Sequence, residues 1–353
     1  MENINIDNLK KSLENLETRH SKVYFFVQDT KGNPKASVRY SYQLAMGLKN
    51  NGFNPVILTE TNDYIGVGGW LGLEYMELPH TAVDGQNLVI SPDDFIVIPE
   101  IFGFVMEQIK DLPCGKIVLC QAYDHMLETL NPGFSWLNYG FYKCITTSEF
   151  QKEYISSVMR NVSTDVLTPY ISECFVKTDL TQKPIIAVHS REQRKALNFI
   201  KTFYLKYPQY RWITFRDMRG LYETEFASQL KECFLSVWID DTSGFGTFPL
   251  ESMACGVPCI GKVPNLFPHW MNESNGLWIG EENKIVDYTA DFISNWIEDN
   301  IIPELYESMD ETISKHLSTK EAFEDNASKL FQNYFSVRYE AFEDQLKKLN
   351  NEE

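Results

Sequence analysis

Short apolar runs alternate along this chain with stretches of helical period, and that alternation leaves few folds open. KVYFFVQ (22–28) has no polar face and reads as a buried strand. A polar loop, DTKGNPKAS (29–37), leads to a helical stretch carrying Tyr40, Leu44 and Leu48 that ends near Asn51-Gly52, and PVILTE (55–60) follows. A strand that is apolar on both faces must be covered on both, and a parallel neighbour requires a crossover, so this is the opening of a parallel βαβ series. FIVIPE (95–100), KIVLCQ (116–121) and KCITTS (143–148) continue it, the last running into the helix SEFQKEYISSVM, and DVLTPYI (165–171) closes the first half. SECFVKTDLTQKP (172–184) is polar and ends in Pro, as a linker would. The pattern then restarts with the strand PIIAV (184–188), the helix REQRKALNFIKTFYLKY, the strand RWITF (211–215) and the helix ETEFASQLKECF. LSVWI (235–239), a glycine-bearing loop, the helix PLESMAC and the strand PCIGK (258–262) come next.

The expected architecture is α/β: two Rossmann-like, doubly wound parallel-sheet domains, 1–171 and 185–320, joined by the linker 172–184. A short amphipathic helix through Ile6, Leu9, Leu13 and Leu16 precedes the first. A helical tail, 321–353, follows the second, with Phe323, Leu330, Phe331, Phe335, Tyr339 and Phe342 near a helical period. Ligands of such sheets bind beyond the carboxyl ends of the strands, an edge that becomes a cleft where two domains face each other.

A net charge of -17, from 32 basic and 49 acidic residues, disfavours nucleic acid and bare anionic membranes as main partners. The 7 cysteines show no CxxC spacing and are odd in number, which argues against a disulfide framework or a structural zinc site. The polar N-terminus is no signal peptide, and no run approaches the roughly eighteen apolar residues of a membrane span. A cytoplasmic location is expected. Aromatics at 14% fill core and could also line a sugar or base site.

The most informative stretch is DDTSGFGTFPLESMACGVPCIGK (240–262). Gly244 and Gly246 let the backbone of the Ser243–Thr247 loop approach a ligand, Pro249 suits the first turn of a helix, and that helix aims its unpaired amides at a phosphate. Glu251, placed in the first turn, either accepts hydrogen bonds from a ribose diol or caps an orphan amide as the third helical residue. In IIAVHSREQRK (185–195), Arg191 and Lys195 are two cations at a helix start, where the dipole disfavours them unless an anion binds. The bland alternative is a capping box, Ser190-x-x-Gln193, with the basic residues solvated. GVGGWLG (66–72) lacks the spacing of a dinucleotide fingerprint, and Asp93-Asp94 and Asp240-Asp241 are not Asp-x-Asp metal clamps.

SGFGTFPLESMACGVPCI resembles the C-terminal signature of the retaining GT-B glycosyltransferases of family 4, the glycosyltransferase group 1 family. That signature reads Glu-Gly-Phe-Gly, three residues, Leu, then Glu-Ala-Met-Ala-x-Gly-x-Pro-Val-Ile. The resemblance implies that Glu251 holds the donor ribose and that Ser190, Gly244, Phe245, Gly246, Thr247 and Phe248 border the donor. Ser243 stands where the family has its first glutamate, which contacts the donor sugar. The serine keeps a hydrogen bond but loses a charge worth on the order of 1 kcal/mol or more, and Asp240 or Asp241 could compensate. Arg191 and Lys195 match the family's pair on the donor diphosphate. LTPYISECF (167–175) is similar to its hinge and NGLWI (275–279) to its late Gly-Leu-Leu-Val strand. On the acceptor side the family's paired glycines appear as Ala36-Ser37, which places Lys35 and Ser37 at the cleft, and CQAYDH (120–125) offers Gln121, Asp124 and His125.

The function these features imply is a retaining transfer of a sugar from a nucleotide-diphosphate sugar to an acceptor hydroxyl, with no catalytic metal and no cofactor beyond the donor. Two alternatives stand beside it. One is a non-catalytic nucleotide-sugar binder or partner subunit that lost turnover with the first glutamate. The other is a GT-B enzyme acting on modified DNA bases, which the acidic balance opposes; a sugar-nucleotide epimerase is more remote.

Overall fold

The computed structural model describes residues 6–84, 88–179, 182–240, 244–263, 268–300 and 303–352. The chain folds into two compact units, Met1–Pro169 with Lys320–Glu353, and Tyr170–Thr319.

The first unit begins with helix α1 (Ile6–Glu17) and strand β1 (Lys22–Phe26), followed by α2 (Ala36–Asn50) and β2 (Asn54–Thr59). It continues through β3 (His80–Ala82), β4 (Phe95–Pro99), α3 (Gly103–Gln108), β5 (Gly115–Cys120), β6 (Lys143–Thr146), α4 (Glu149–Val158) and β7 (Ser163–Val166). The strands form one sheet in the order β3-β2-β1-β4-β5-β6-β7, every pair parallel. Strand order reverses between β1 and β4, so the carboxyl ends of these two strands flank the crevice where such sheets bind ligands. The interior strands are apolar on both faces, as burial of all five β4 residues requires.

The second unit contains β8 (Lys183–His189), α5 (Gln193–Lys206), β9 (Thr214–Asp217), α6 (Glu223–Lys231), β10 (Cys233–Trp238) and α7 (Thr247–Ala254). Then come β11 (Cys259–Lys262), β12 (Leu277–Ile279), α8 (Ile285–Ile297) and α9 (Pro303–His316). Its parallel sheet has the order β12-β11-β10-β8-β9, so the reversal falls between β8 and β10. One face buries Val188, Leu235 and Val237 with Phe199 and Phe203 of α5 and Ile293 of α8. The other buries Ala187 and Trp238 with Leu230 of α6, Leu250 and Met253 of α7, and Met309 of α9. Helices on both faces make the sheet doubly wound.

The tail is a single helix, α10 (Lys320–Glu352), which belongs to the first unit. Phe323 and Phe331 are fully buried, Phe331 lies 6.5 Å from Phe25 of β1, and Tyr334 donates its hydroxyl to Asp165 of β7 at 2.7 Å. Among the described residues no helix is long and apolar enough to cross a membrane.

Several elements differ from their sequence reading. The strand expected at 211–215 starts at Thr214, because a 3-10 turn at Pro208–Tyr210 carries on until the Ile213 amide bonds Tyr210 O at 3.0 Å. The strand expected at 165–171 runs Ser163–Val166 instead, ahead of Pro169, which has no amide to extend the ladder. The three-residue edge strand β3 carries no periodic signal. Asp93 and Asp94 lie at the amino end of β4, away from the ligand edge. There they accept the Ser12 and Ser21 hydroxyls and the Lys22 and Ser91 amides.

Candidate functional site

The carboxyl ends of β8 and β10 lie side by side in the second unit, with His189 paired to Trp238. Past these strands the chain enters the 190–195 and 240–251 stretches. Asp240 joins them: one carboxylate oxygen accepts the Arg191 amide at 2.8 Å and the other accepts the Trp238 indole N–H at 3.0 Å. Asp240 is only 5% exposed, so these bonds are what make its burial tolerable. They hold the chain after β8 against the chain after β10 at the reversal point.

Arg191 precedes α5 and its side chain is exposed; among the described residues no acceptor holds its guanidinium. Lys195, in the first turn of α5, is more enclosed, its ammonium 3.4 Å from Glu192 and 3.9 Å from Glu282. Ser190 is fully buried and its hydroxyl oxygen accepts the Glu192 amide at 3.2 Å. The residue preceding α5 is Glu192, so the Ser190-x-x-Gln193 capping box does not form.

Helix α7 begins at Thr247, two residues ahead of the sequence reading, because Gly246 takes φ 80° and turns the chain into the helix there. Glu251 is therefore the fifth helical residue, not the third, and lies beyond the reach of a capping box. It is 5% exposed. Phe245 and Phe248 are buried; the Phe245 carbonyl accepts the Trp270 indole N–H at 2.8 Å. Gly244 and Thr247 are half-buried beside them. Asp241 and Ser243 lie outside the described residues.

Sequence reasoning passed over His189. Its ring stacks on Phe248 at 4.7 Å and 17°, and its buried Nδ1 has no hydrogen-bond partner among the described residues. Burial pushes its pKa down, which favours a neutral imidazole at the floor of the junction. The signal was a polar residue closing an apolar strand.

The first unit brings part of its expected set together. Gln121, just past β5, donates from Nε2 to the Ser37 carbonyl in the first turn of α2 at 3.0 Å. Lys35 is exposed and bonds Gln28 at 2.9 Å. Asp124 and His125 sit on a 3-10 turn, with His125 Nδ1 2.8 Å from Glu128.

The group that sequence reasoning missed here is Glu100, which follows β4 directly at the reversal point. It is 4% exposed, and its carboxylate accepts the Ala122 amide at 3.0 Å and the Gln121 amide at 3.2 Å. An acid closing the apolar run FIVIPE was the available clue. Desolvation raises its carboxyl from the usual 4.5 to about 7. The folded state thus binds this proton more tightly than the unfolded chain does. The stabilisation is complete below the unfolded pKa and is lost as pH rises from about 4.5 to about 7. Glu100→Gln should remove that slope, which amounts to on the order of 3 kcal/mol. Urea denaturation at acidic and mildly alkaline pH checks it; parallel pH profiles for the two proteins would contradict the assignment.

Among the described residues no group of three His, Cys, Asp or Glu gathers where it could hold a metal ion.

No family model and no curated protein matches this chain. Solved structures do. Sucrose-phosphate synthase from Thermosynechococcus elongatus is similar with a TM-score of 0.66 at 12% identity, over 90% of this chain and 100% of that one. HepE of Anabaena in complex with UDP has a TM-score of 0.58 at 11% identity, over 90% and 100%. A glycosyltransferase from Rickettsia africae ESF-5 has 0.56 at 12%, over 89% and 98%. These likenesses show the fold: both units have the architecture of GT-B glycosyltransferases.

Proposed function

We propose that this chain is a nucleotide-sugar-dependent glycosyltransferase of the retaining, family 4 type, and that its second unit binds the donor. The observation that carries the reading is the Asp240 bridge at the β8/β10 reversal, which sets the Arg191 backbone beside the chain leading into α7. A switch point that presents a cation and helix-start amides suits a diphosphate. The likeness of the Gly-Phe-Gly…Leu-Glu stretch to the family signature supports Glu251 as the partner of a nucleotide ribose. HepE is described in complex with UDP and with UDP-glucose, which makes a uridine donor the first to test.

In the proposed reaction the bond from the anomeric carbon to the diphosphate oxygen breaks and the electron pair leaves with the diphosphate. Arg191, Lys195 and the Thr247 and Phe248 amides stabilise the growing charge, with no catalytic metal required. The acceptor hydroxyl attacks on the leaving-group face, so the anomeric configuration is kept; Lys35, Ser37, Gln121, Asp124 and His125 are the residues proposed for the acceptor side. In this reading the hydroxyl's proton passes to the departing phosphate.

A thermal-shift panel of nucleoside diphosphates and nucleotide sugars on wild type and Glu251→Ala tests this. One base class should stabilise the wild type, by about 2.7 kcal/mol at a hundredfold excess over Kd, and the variant should lose most of that. Equal shifts would remove Glu251 from the site. Ser243 in place of the family's glutamate favours one second reading, a binder without turnover. Release of nucleoside diphosphate from a nucleotide sugar separates the two.

A further inference from the structure

Lys262 ends β11, whose Gly261 pairs with Trp238 of β10, so it stands on the same carboxyl edge as Arg191, one strand beyond the reversal. Its ammonium lies 3.3 Å from Oε2 of Glu282, the oxygen that Lys195 approaches at 3.9 Å. The two lysine side chains are 21% and 20% exposed, and Glu282 is 42% exposed. Two largely enclosed ammonium groups thus converge on one carboxylate oxygen at the strand edge where ligands of such sheets bind. Enclosure strengthens their pull on any anion that reaches them, and the pull grows with the anion's charge. Lys195 also lies 3.4 Å from Glu192, so Glu282 is one of the anions these lysines meet; a diphosphate brings more charge and more acceptor oxygens than any single carboxylate and can draw on both ammonium groups at once.

We infer that Lys262 is a further cation of the donor diphosphate site, and that Glu282 occupies the phosphate's place on Lys195 and Lys262 until the nucleotide arrives. This rests on the donor site proposed above. Binding would exchange one anion for another: Glu282 swings into solvent, where it is already partly exposed, and both ammonium groups turn to the phosphate. The two side chains of one ion pair therefore have opposite effects on the ligand, one attracting it and the other competing with it. A pair that served stability alone would show no such opposition.

Calorimetric titration of UDP, ADP and GDP into the full chain tests this, with wild type, Lys262→Gln, Glu282→Gln and Arg191→Ala compared and the matching nucleosides as controls. For whichever diphosphate binds, Lys262→Gln should weaken it about tenfold and Glu282→Gln should tighten it about threefold or more. Both effects should shrink as salt is raised, and nucleoside binding should be the same in all of them. If Glu282→Gln weakens the diphosphate as Lys262→Gln does, the carboxylate merely holds the lysines in place and the inference is overturned. If only Arg191→Ala weakens it, the donor site stands and Lys262 lies outside it. If no diphosphate binds the wild type, both readings fall together.

Discussion

Arg191→Ala should slow sugar transfer by about a hundredfold or more, the usual loss when a donor that meets a developing anion is removed. The size of this effect follows from what holds each cation. Lys195 already shares its charge with Glu192 and Glu282. Arg191 has its backbone fixed by Asp240, while among the described residues no acceptor engages its guanidinium. A positioned backbone with an uncommitted charge is what a leaving diphosphate needs. Arg191→Lys should recover only part of the rate, since an ammonium cannot grip two phosphate oxygens as a planar fork does. Release of free nucleoside diphosphate from the nucleotide sugar is the assay. Unchanged release in Arg191→Ala would place the charge stabilisation elsewhere.

The second large effect belongs to Gly246→Ala. Gly246 takes φ 80°, and a Cβ there would stand 2.5 Å from Cζ2 of Trp270. Trp270 cannot retreat easily: it is 2% exposed and its indole N–H is bonded to the Phe245 carbonyl. Left-handed backbone costs an L-residue about 1–2 kcal/mol, and forcing bulk into a packed site costs about 1–3 more. A loss of about 2–5 kcal/mol follows, with the turn that launches α7 displaced and nucleotide affinity lost as well. Gly280→Ala is the matched control in the same unit, because nothing lies within 4 Å of its added Cβ. Thermal melts of the two variants check this; equal stability would show that the Gly246 turn relaxes at little cost.

What the sequence disclosed and what it hid divide along physical lines. Runs such as KVYFF and FIVIP, alternating with helical stretches, read as buried parallel strands because apolar residues on both faces call for cover on both. The glycine spacing around Gly244 and Gly246 declares a close backbone approach. The start of α7 was misjudged because Pro249 is a strong helix-start signal by propensity, whereas the φ of Gly246 decides the geometry and propensity does not record it. Strand order is also invisible in a linear pattern. Only the sheet shows that β8 and β10 are neighbours at a reversal, and so that Asp240 reaches back to Arg191. Asp240 reads as a possible stand-in for a missing glutamate; the structure gives both its oxygens to the bridge. Glu100 and His189 were hidden for a related reason. Each is one polar residue at the end of an apolar run, and its meaning depends on which strand lies next to it.

The central claim is that the chain after β8 and the chain into α7 hold one diphosphate between them. Amide hydrogen exchange with and without a saturating nucleoside diphosphate tests it most directly, because it reports where the ligand sits whether or not turnover occurs. Slowed exchange at Arg191–Gln193 together with Gly244–Phe248, and little change across the first unit's β5–β7 strands, is the predicted footprint. Protection confined to only one of the two junctions, or to residues away from both, would contradict the account.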